Sequence, residues 1–408
     1  MKPAFLCLVL LGVCAANAAD WPTWRGPNRD GVSSETGLLT EWPAAGPKKR
    51  WTATEAGLGY SSFAVVGNRL YTMGADETNE YLIAFDATSG KKIWEVSVGE
   101  RLQNNWGDGP RSTPAVSGNM IVALGGRGDL VCVSAQEGSL KWSADMESLG
   151  GKTPNWGYAE SPFIDGSTVL CTPGRDAGTV VAFDLQSGKK LWQSSDITER
   201  AHYSSIIAAD HYGQNQYIQL TKEKVFGLDS KGKLLWQADW PGRTAVIPTP
   251  IYHDGRVYVT SGYGVGCMML KIDRENNVET AYENKVMKNQ HGGVIRLGSQ
   301  IYGYSDGPGW ICQDIESGEM IWNEKRKQGK GSVTFAEGML YCFDQNAGTC
   351  VLASASPEGW QEHGRFTLEP QTDQRSPKGK IWTHPVVANG RLYLRDQEII
   401  CCYDIKAP

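Results

Sequence analysis

Apolar and polar positions alternate over short stretches along nearly the whole chain, and most stretches end in Gly, Asn or Asp. A period of two closed by turn residues predicts strands and hairpins, not helices. One kind of stretch is small and rich in Ser, Thr and Pro, and it occurs eight times: Ser61–Val65, Ser112–Val116, Glu160–Ile164, Ser204–Ala208, Pro248–Tyr252, Gly292–Arg296, Gly331–Phe335 and Thr383–Val387. A Gly-Asn or Asp-Gly turn usually follows, then a second stretch such as Arg69–Thr72, Arg256–Val259 or Arg391–Leu394. The third carries an Ala-Phe-Asp phrase, and a Ser-Gly-Lys turn leads into a fourth that ends on Trp. Each repeat therefore predicts a four-stranded antiparallel blade.

The phrase Ala84-Phe-Asp-Ala-Thr-Ser-Gly-Lys-Lys-Ile-Trp94 returns almost unchanged at Ala182–Trp192, with looser copies ending at Trp142, Trp236 and Trp322. A period of about 40–50 residues marks a repeat architecture. The fold class is all-β, an eight-bladed β-propeller. Lys48–Thr54 reads as a fourth strand with no blade before it, while the last repeat stops at Tyr403–Pro408 before its own fourth strand. The N-terminal strand, with Trp51, is expected to complete the last blade, which removes two sheet edges. Blade 5 carries Tyr282 in the Trp position, and blade 7 reads as degenerate, with Trp360 displaced.

Residues 1–19 read as a secretory signal: Lys2, the apolar run Ala4–Val13, and small residues at 16 and 18 before the cut. Residues 20–46 form an N-terminal arm that either leaves the channel open or plugs it, and 47–408 form a single propeller domain. The protein is expected to be exported, periplasmic or secreted, and monomeric. Val13 does not suit lipid processing at Cys14, so lipid anchoring is not expected. No later run is long enough to span a bilayer. With 40 basic against 45 acidic residues in mixed order, the chain has no electrostatic footprint for nucleic acid.

The repeat Ala-x-Asp-x-x-(Ser/Thr)-Gly-x-x-x-Trp is similar to that of the pyrroloquinoline-quinone-like (PQQ-like) propellers over residues 48–408. WD40 repeats fit worse, because no Asp follows any of the repeat tryptophans. The resemblance implies an eight-bladed ring in which Trp51, Trp94, Trp142, Trp192, Trp236 and Trp322 dock between blades. It also implies one of two activities. Quinoprotein dehydrogenases hold PQQ with calcium and oxidise alcohols or sugars, whereas members resembling the outer-membrane assembly lipoprotein hold no cofactor.

Members of the first class carry a disulfide between adjacent cysteines beside the cofactor, which draws attention to Cys401-Cys402. Aligned with the other repeats, however, this pair falls inside a regular third strand, where neighbouring side chains point to opposite faces. It reads as blade filler. No metal site is predicted, since no cysteine or acidic spacing suits one. The residues entering the first strands are Tyr60, Arg111, Ala159, Tyr203, Ile247, His291, Lys330 and Trp382, with Glu160 beside them. Cations and aromatics at a channel mouth suit an anionic or planar ligand. Asn105-Trp106-Gly107 and Asn155-Trp156-Gly157 stand in parallel positions, either as a shared binding wall or as ordered turns covering blade edges. Arg111, Glu160, Tyr203, His291, Lys330, Trp106 and Trp156 are therefore the candidate ligand residues. Two functions follow: a binding or scaffold module acting on a protein or small molecule at the mouth, or a PQQ-dependent oxidoreductase in which Arg111 or Lys330 meets the cofactor carboxylates and Glu160 a metal. No hydrolase or nucleotide motif is present.

Overall fold

The computed structural model describes residues 19–408, and the segment 1–19 read as a secretory signal lies outside the described residues except for Ala19. Eight sheets of four antiparallel strands form the ring, the seventh extended by the short parallel strand Val32–Ser33, and no helix occurs among the described residues. Blade 1 runs Ala64–Val66, Arg69–Ala75, Asn79–Asp86 and Lys92–Glu100 from the axis outward. Blade 8 comprises Val386–Ala388, Arg391–Asp396 and Ile399–Asp404, and Lys48–Ala53 supplies its fourth strand with Trp51 opposite Cys402. The ring thus closes with the first long strand against the last.

Eight apolar clusters fill the molecule, one at each blade-to-blade interface. Strand alternation sends successive residues into different clusters. Cys401 faces blade 7 and Cys402 faces blade 1, and all eight cysteines of the described residues are buried and free.

The repeat phrase has two physical functions at each interface. The Asp accepts the turn, as Asp86 does from the amides of Thr88 at 3.0 Å and Ser89 at 2.8 Å. The Trp then crosses to the next blade's turn. The indole N–H groups of Trp51, Trp142, Trp192 and Trp322 donate to the carbonyls of Ala87, Leu185, Ser230 and Ser356 at 2.8–3.1 Å. Tyr282 does the same in blade 5, donating to Ile315 O at 2.8 Å. The turn glycine accepts the ring face: a Cβ on Gly90 would sit 2.5 Å from Trp51, and one on Gly232 2.3 Å from Trp192. Two tryptophans differ. Trp236 donates within its own blade to Gln216 at 2.7 Å, and the Trp94 N–H has no partner.

Blade 7 solves its missing tryptophan differently from the expected displacement. Trp360 turns back toward blade 6, with ring centroids 6.0 Å from Trp310 and 6.5 Å from Trp322. The staple position itself is Gly364, opposite Leu352 and next to the strand bulge. Trp42 of the N-terminal arm occupies the space: its amide donates to His363 O at 2.8 Å, and its ring packs on Tyr341 and Phe366 in the cluster between blades 7 and 8. The carbonyl of Ile405, equivalent to that of Ala87 in blade 1, accepts the amide of Leu39 at 2.8 Å.

The rest of the arm fills the channel from the face opposite the mouth. Trp21 pairs with Val65, the Val116 amide donates to Pro22 O, and Trp24 donates to Thr249. Arg25 reaches Val294 O at 2.5 Å, and Arg29 reaches Ser161 O at 2.8 Å and Pro162 O at 3.0 Å. Val32–Ser33 runs parallel to Phe335–Ala336, and Ser33 donates to Val387 O. The arm therefore touches the innermost layer of seven blades. It is fixed at that face by Asp20 on the turn at Gly67 and by Glu35 on Asn389 and Gly390.

Candidate functional site

The mouth is built by the loops that carry each fourth strand back to the next first strand, together with the second-to-third strand turns. Its cations are already engaged. Arg111 donates to Gly107 O at 2.6 Å and to Gly109 O, and its guanidinium lies 5.4 Å over the Tyr60 ring. Burial lowers its pKa. Lys330 holds Asp306 at 2.6 Å and also binds Gln290. Gln290 in turn donates to the Tyr263 hydroxyl at 2.6 Å.

The aromatics pack on one another across the axis. Trp382 lies 5.1 Å from Tyr60 and 6.4 Å from both Trp106 and His291, centroid to centroid. It covers His291, which is buried, leaves both ring nitrogens unpaired, and has a pKa held well below the usual value by burial. Beneath it the His384 Nε2–H donates to His291 O, 2.9 Å away, and the ring stacks edge-on against Trp24 of the arm. Tyr203 lies between Trp156 and His202, and burial pushes its pKa up to about 12.

The doubled Asn-Trp-Gly motif forms two adjoining turns. Asn104 links them by donating to Asn155 O at 2.9 Å. Gly107 is required by close approach, because a Cβ there would come within 1.8 Å of the Tyr60 hydroxyl. Trp106 is 43% exposed, and Trp156 is half-buried.

Glu160 lies below the mouth, fully enclosed. It accepts the Thr172 amide at 2.7 Å, the Thr172 hydroxyl at 3.0 Å and the Gln219 amide at 3.3 Å. Burial raises its pKa to about 7, opposed by those hydrogen bonds and by Arg29. The acidic residues of the mouth turns serve turns and ion pairs: Asp396 binds Arg375, Asp306 binds Lys330, and Asp76 caps Thr78 and Asn79.

These residues do not fit PQQ with calcium. The two cations that would meet its carboxylates are committed to internal partners, and Glu160 is enclosed by its own donors. Calcium requires about six or more converging oxygens. Among the described residues no group of three His, Cys, Asp or Glu side chains converges for a metal ion. Cys401 and Cys402 lie in the blade 8 sheet, on opposite faces of it.

Sequence reasoning named most of the mouth and left open whether the 20–46 arm plugs the channel, but it did not assign the plugging to Trp24, Arg25 and Arg29. It also missed the loop 368–382, which crosses between blades 7 and 8 and lays Lys378 5.9 Å over Trp106. Nothing in a repeat alignment reports such loops, because they lie outside the repeat.

Known proteins share this architecture. The family model described as outer membrane protein assembly factor BamB matches residues 78–324. BamB of Moranella endobia (strain PCIT) is 26% identical over 275 residues, which span 64% of this chain and 63% of that protein. The aligned region is thus under two thirds of that relative's length. Among solved structures, BamB from Moraxella catarrhalis superposes with a TM-score of 0.62 at 14% identity, over 88% of this chain and 100% of that one. A europium-containing methanol dehydrogenase superposes with a TM-score of 0.61 at 11% identity, over 92% and 89%. At such identities these likenesses are of fold alone, and the fold is common to both functional classes. The family match covers more than half of the chain, including the blades in which the Ala-Phe-Asp phrase recurs, and this chain belongs to the BamB-type family of PQQ-like repeat propellers.

Proposed function

We propose that this protein is an exported, non-catalytic scaffold of the cell envelope that docks a protein partner on its mouth face. The observation that carries this reading is the state of the mouth: Arg111 and Lys330 are internally paired while Trp106 and Tyr263 remain 43% and 37% exposed. A small ligand needs convergent unpaired polar groups in a concavity, whereas a protein partner needs exposed aromatic anchors on a firm base. Arg111, Tyr203, His291, Lys330 and Trp156 then act as the base under Trp106, and Glu160 as an internal support. The matching relatives are outer membrane protein assembly factors, which supports both the envelope location and a protein partner. The oxidoreductase alternative has no comparable support, because its donor set is engaged elsewhere.

Photo-crosslinking groups at Trp106 and Tyr263, with Leu191 on an outer strand as control, test the assignment in cells. Leu191 is more exposed than either, at 50%, so accessibility alone would not favour the mouth positions. Adducts to an envelope protein from the mouth positions are expected. Adducts from Leu191 alone, or from none of the three, would contradict it.

A further inference from the structure

The mouth face carries a cleft away from the axis, at the seam where the ring closes. It lies between the loop after blade 1 and the loop 374–378 before blade 8, with a volume of about 930 Å³. That is within the size range of small-ligand sites, about 300–1,000 Å³. Its lining is dominated by carboxamides: Gln103, Asn104, Asn105, Gln374 and Gln397. Only Leu58 and Pro377 are apolar side chains, so the cleft does not suit a lipid or an apolar anchor. Its charged residues are few: Asp108 lies beside Arg101 at 3.7 Å, and Lys378 lies over the Trp106 ring.

The floor is rigid. Arg395 is fully buried and donates to six carbonyl or hydroxyl oxygens, among them Ser61, Met73 and Gln397. Gln397 is 4% exposed and its carbonyl accepts the Gly59 amide at 3.0 Å, which fixes its orientation. Ser376 donates to Asn105 O at 3.0 Å and ties the two loops together. By contrast Gln103, Asn105 and Gln374 are exposed and their amide groups make no protein hydrogen bond. Gln103 also lines a second groove of about 730 Å³ that continues along the rim past Thr153, so the surface is elongated.

We infer that this seam cleft binds an uncharged oligosaccharide chain. Each carboxamide offers a donor and an acceptor side by side, matching vicinal hydroxyls, and the exposed Trp106 indole at the cleft's edge supplies a face on which a pyranose ring can stack. Elongation suits a linear chain. This site shares Trp106 with the protein-docking reading above but depends on the amides, which take no part in that reading, so the triple amide variant separates the two.

The test uses the whole protein and titrates cellotetraose, chitotetraose and maltotetraose, following tryptophan fluorescence and NMR shifts. An uncharged extended tetrapeptide and a sulfated tetrasaccharide serve as comparators. Saturable binding of at least one neutral sugar is expected, weakened about tenfold or more in the triple variant Gln103→Ala/Asn105→Ala/Gln374→Ala and in Trp106→Ala. Gln374→Ala alone provides the readout if the triple variant melts early. Absence of binding at about 10 mM sugar, sugar binding unaltered by the variants, or preference for the peptide or the sulfated chain would each overturn it.

Discussion

Trp42 is the residue on which the least regular part of the ring depends. It brings an indole from outside the repeat into the staple position that Gly364 leaves empty, and it is buried to 5%. Trp42→Ala should therefore destabilise the fold by about 3–5 kcal/mol, as buried Trp truncations do, measurable by chemical denaturation. Gly364→Ala should cost about 1–3 kcal/mol by overpacking, because its new Cβ would lie 2.6 Å from the Trp42 Cβ and its φ is +141°. The two residues share one space, so the double variant should lose clearly less than the sum of the two. Full additivity would place Trp42 elsewhere. The sequence carried half of this pair in plain view, since a repeat lacking its Trp is visible by alignment. The donor was not visible, because Trp42 lies far away in the chain and no local pattern links the arm to blade 7.

Glu160 yields a pH signature at the same scale. Its folded pKa of about 7 stands above the ordinary carboxylate value of 4.5. A raised folded pKa means that the native state holds the proton more tightly than the unfolded chain. The stability this provides is complete below pH 4.5, declines as pH rises through 7, and changes no further above that. Glu160→Gln keeps the shape without the charge, so its melting curve should lose this decline, with a gain at pH 8 of up to about 3 kcal/mol by linkage. A variant whose stability follows the same pH slope as the parent would refute the assignment.

At the scale of elements, the blades and their closure were legible because they rest on period-two alternation and turn chemistry. Thr88 and Ser89 on Asp86, and Trp51 against Cys402, are consequences of a repeated local phrase. The course of the arm was not, since its contacts with seven blades are scattered bonds from Trp21, Pro22, Trp24, Arg25, Arg29, Val32 and Ser33 and carry no period. Even so, both ends of the chain are predicted to act as one closure. Deleting 381–408 removes most of blade 8 and leaves the strand 48–53 unpaired, so soluble folded protein should be lost. A truncated protein melting at the parent temperature would contradict that closure.

Across the whole molecule, two devices close the axis: the arm at one face and the stack of Trp382, His291 and His384 toward the mouth. What remains available is a rim of loops with exposed aromatics and amides, and the proposed docking role rests on that rim. The repeat motif specified the ring without specifying a docking rim or a cofactor chamber, because the distinction lies in side chains of loops that the motif does not include. Calorimetric melting with PQQ and calcium at saturating concentration tests the central claim most directly, since any ligand bound only by the native state must raise the melting temperature by mass action. The account predicts an unchanged melting temperature, and a cofactor-dependent rise that disappears in Arg111→Ala would contradict it.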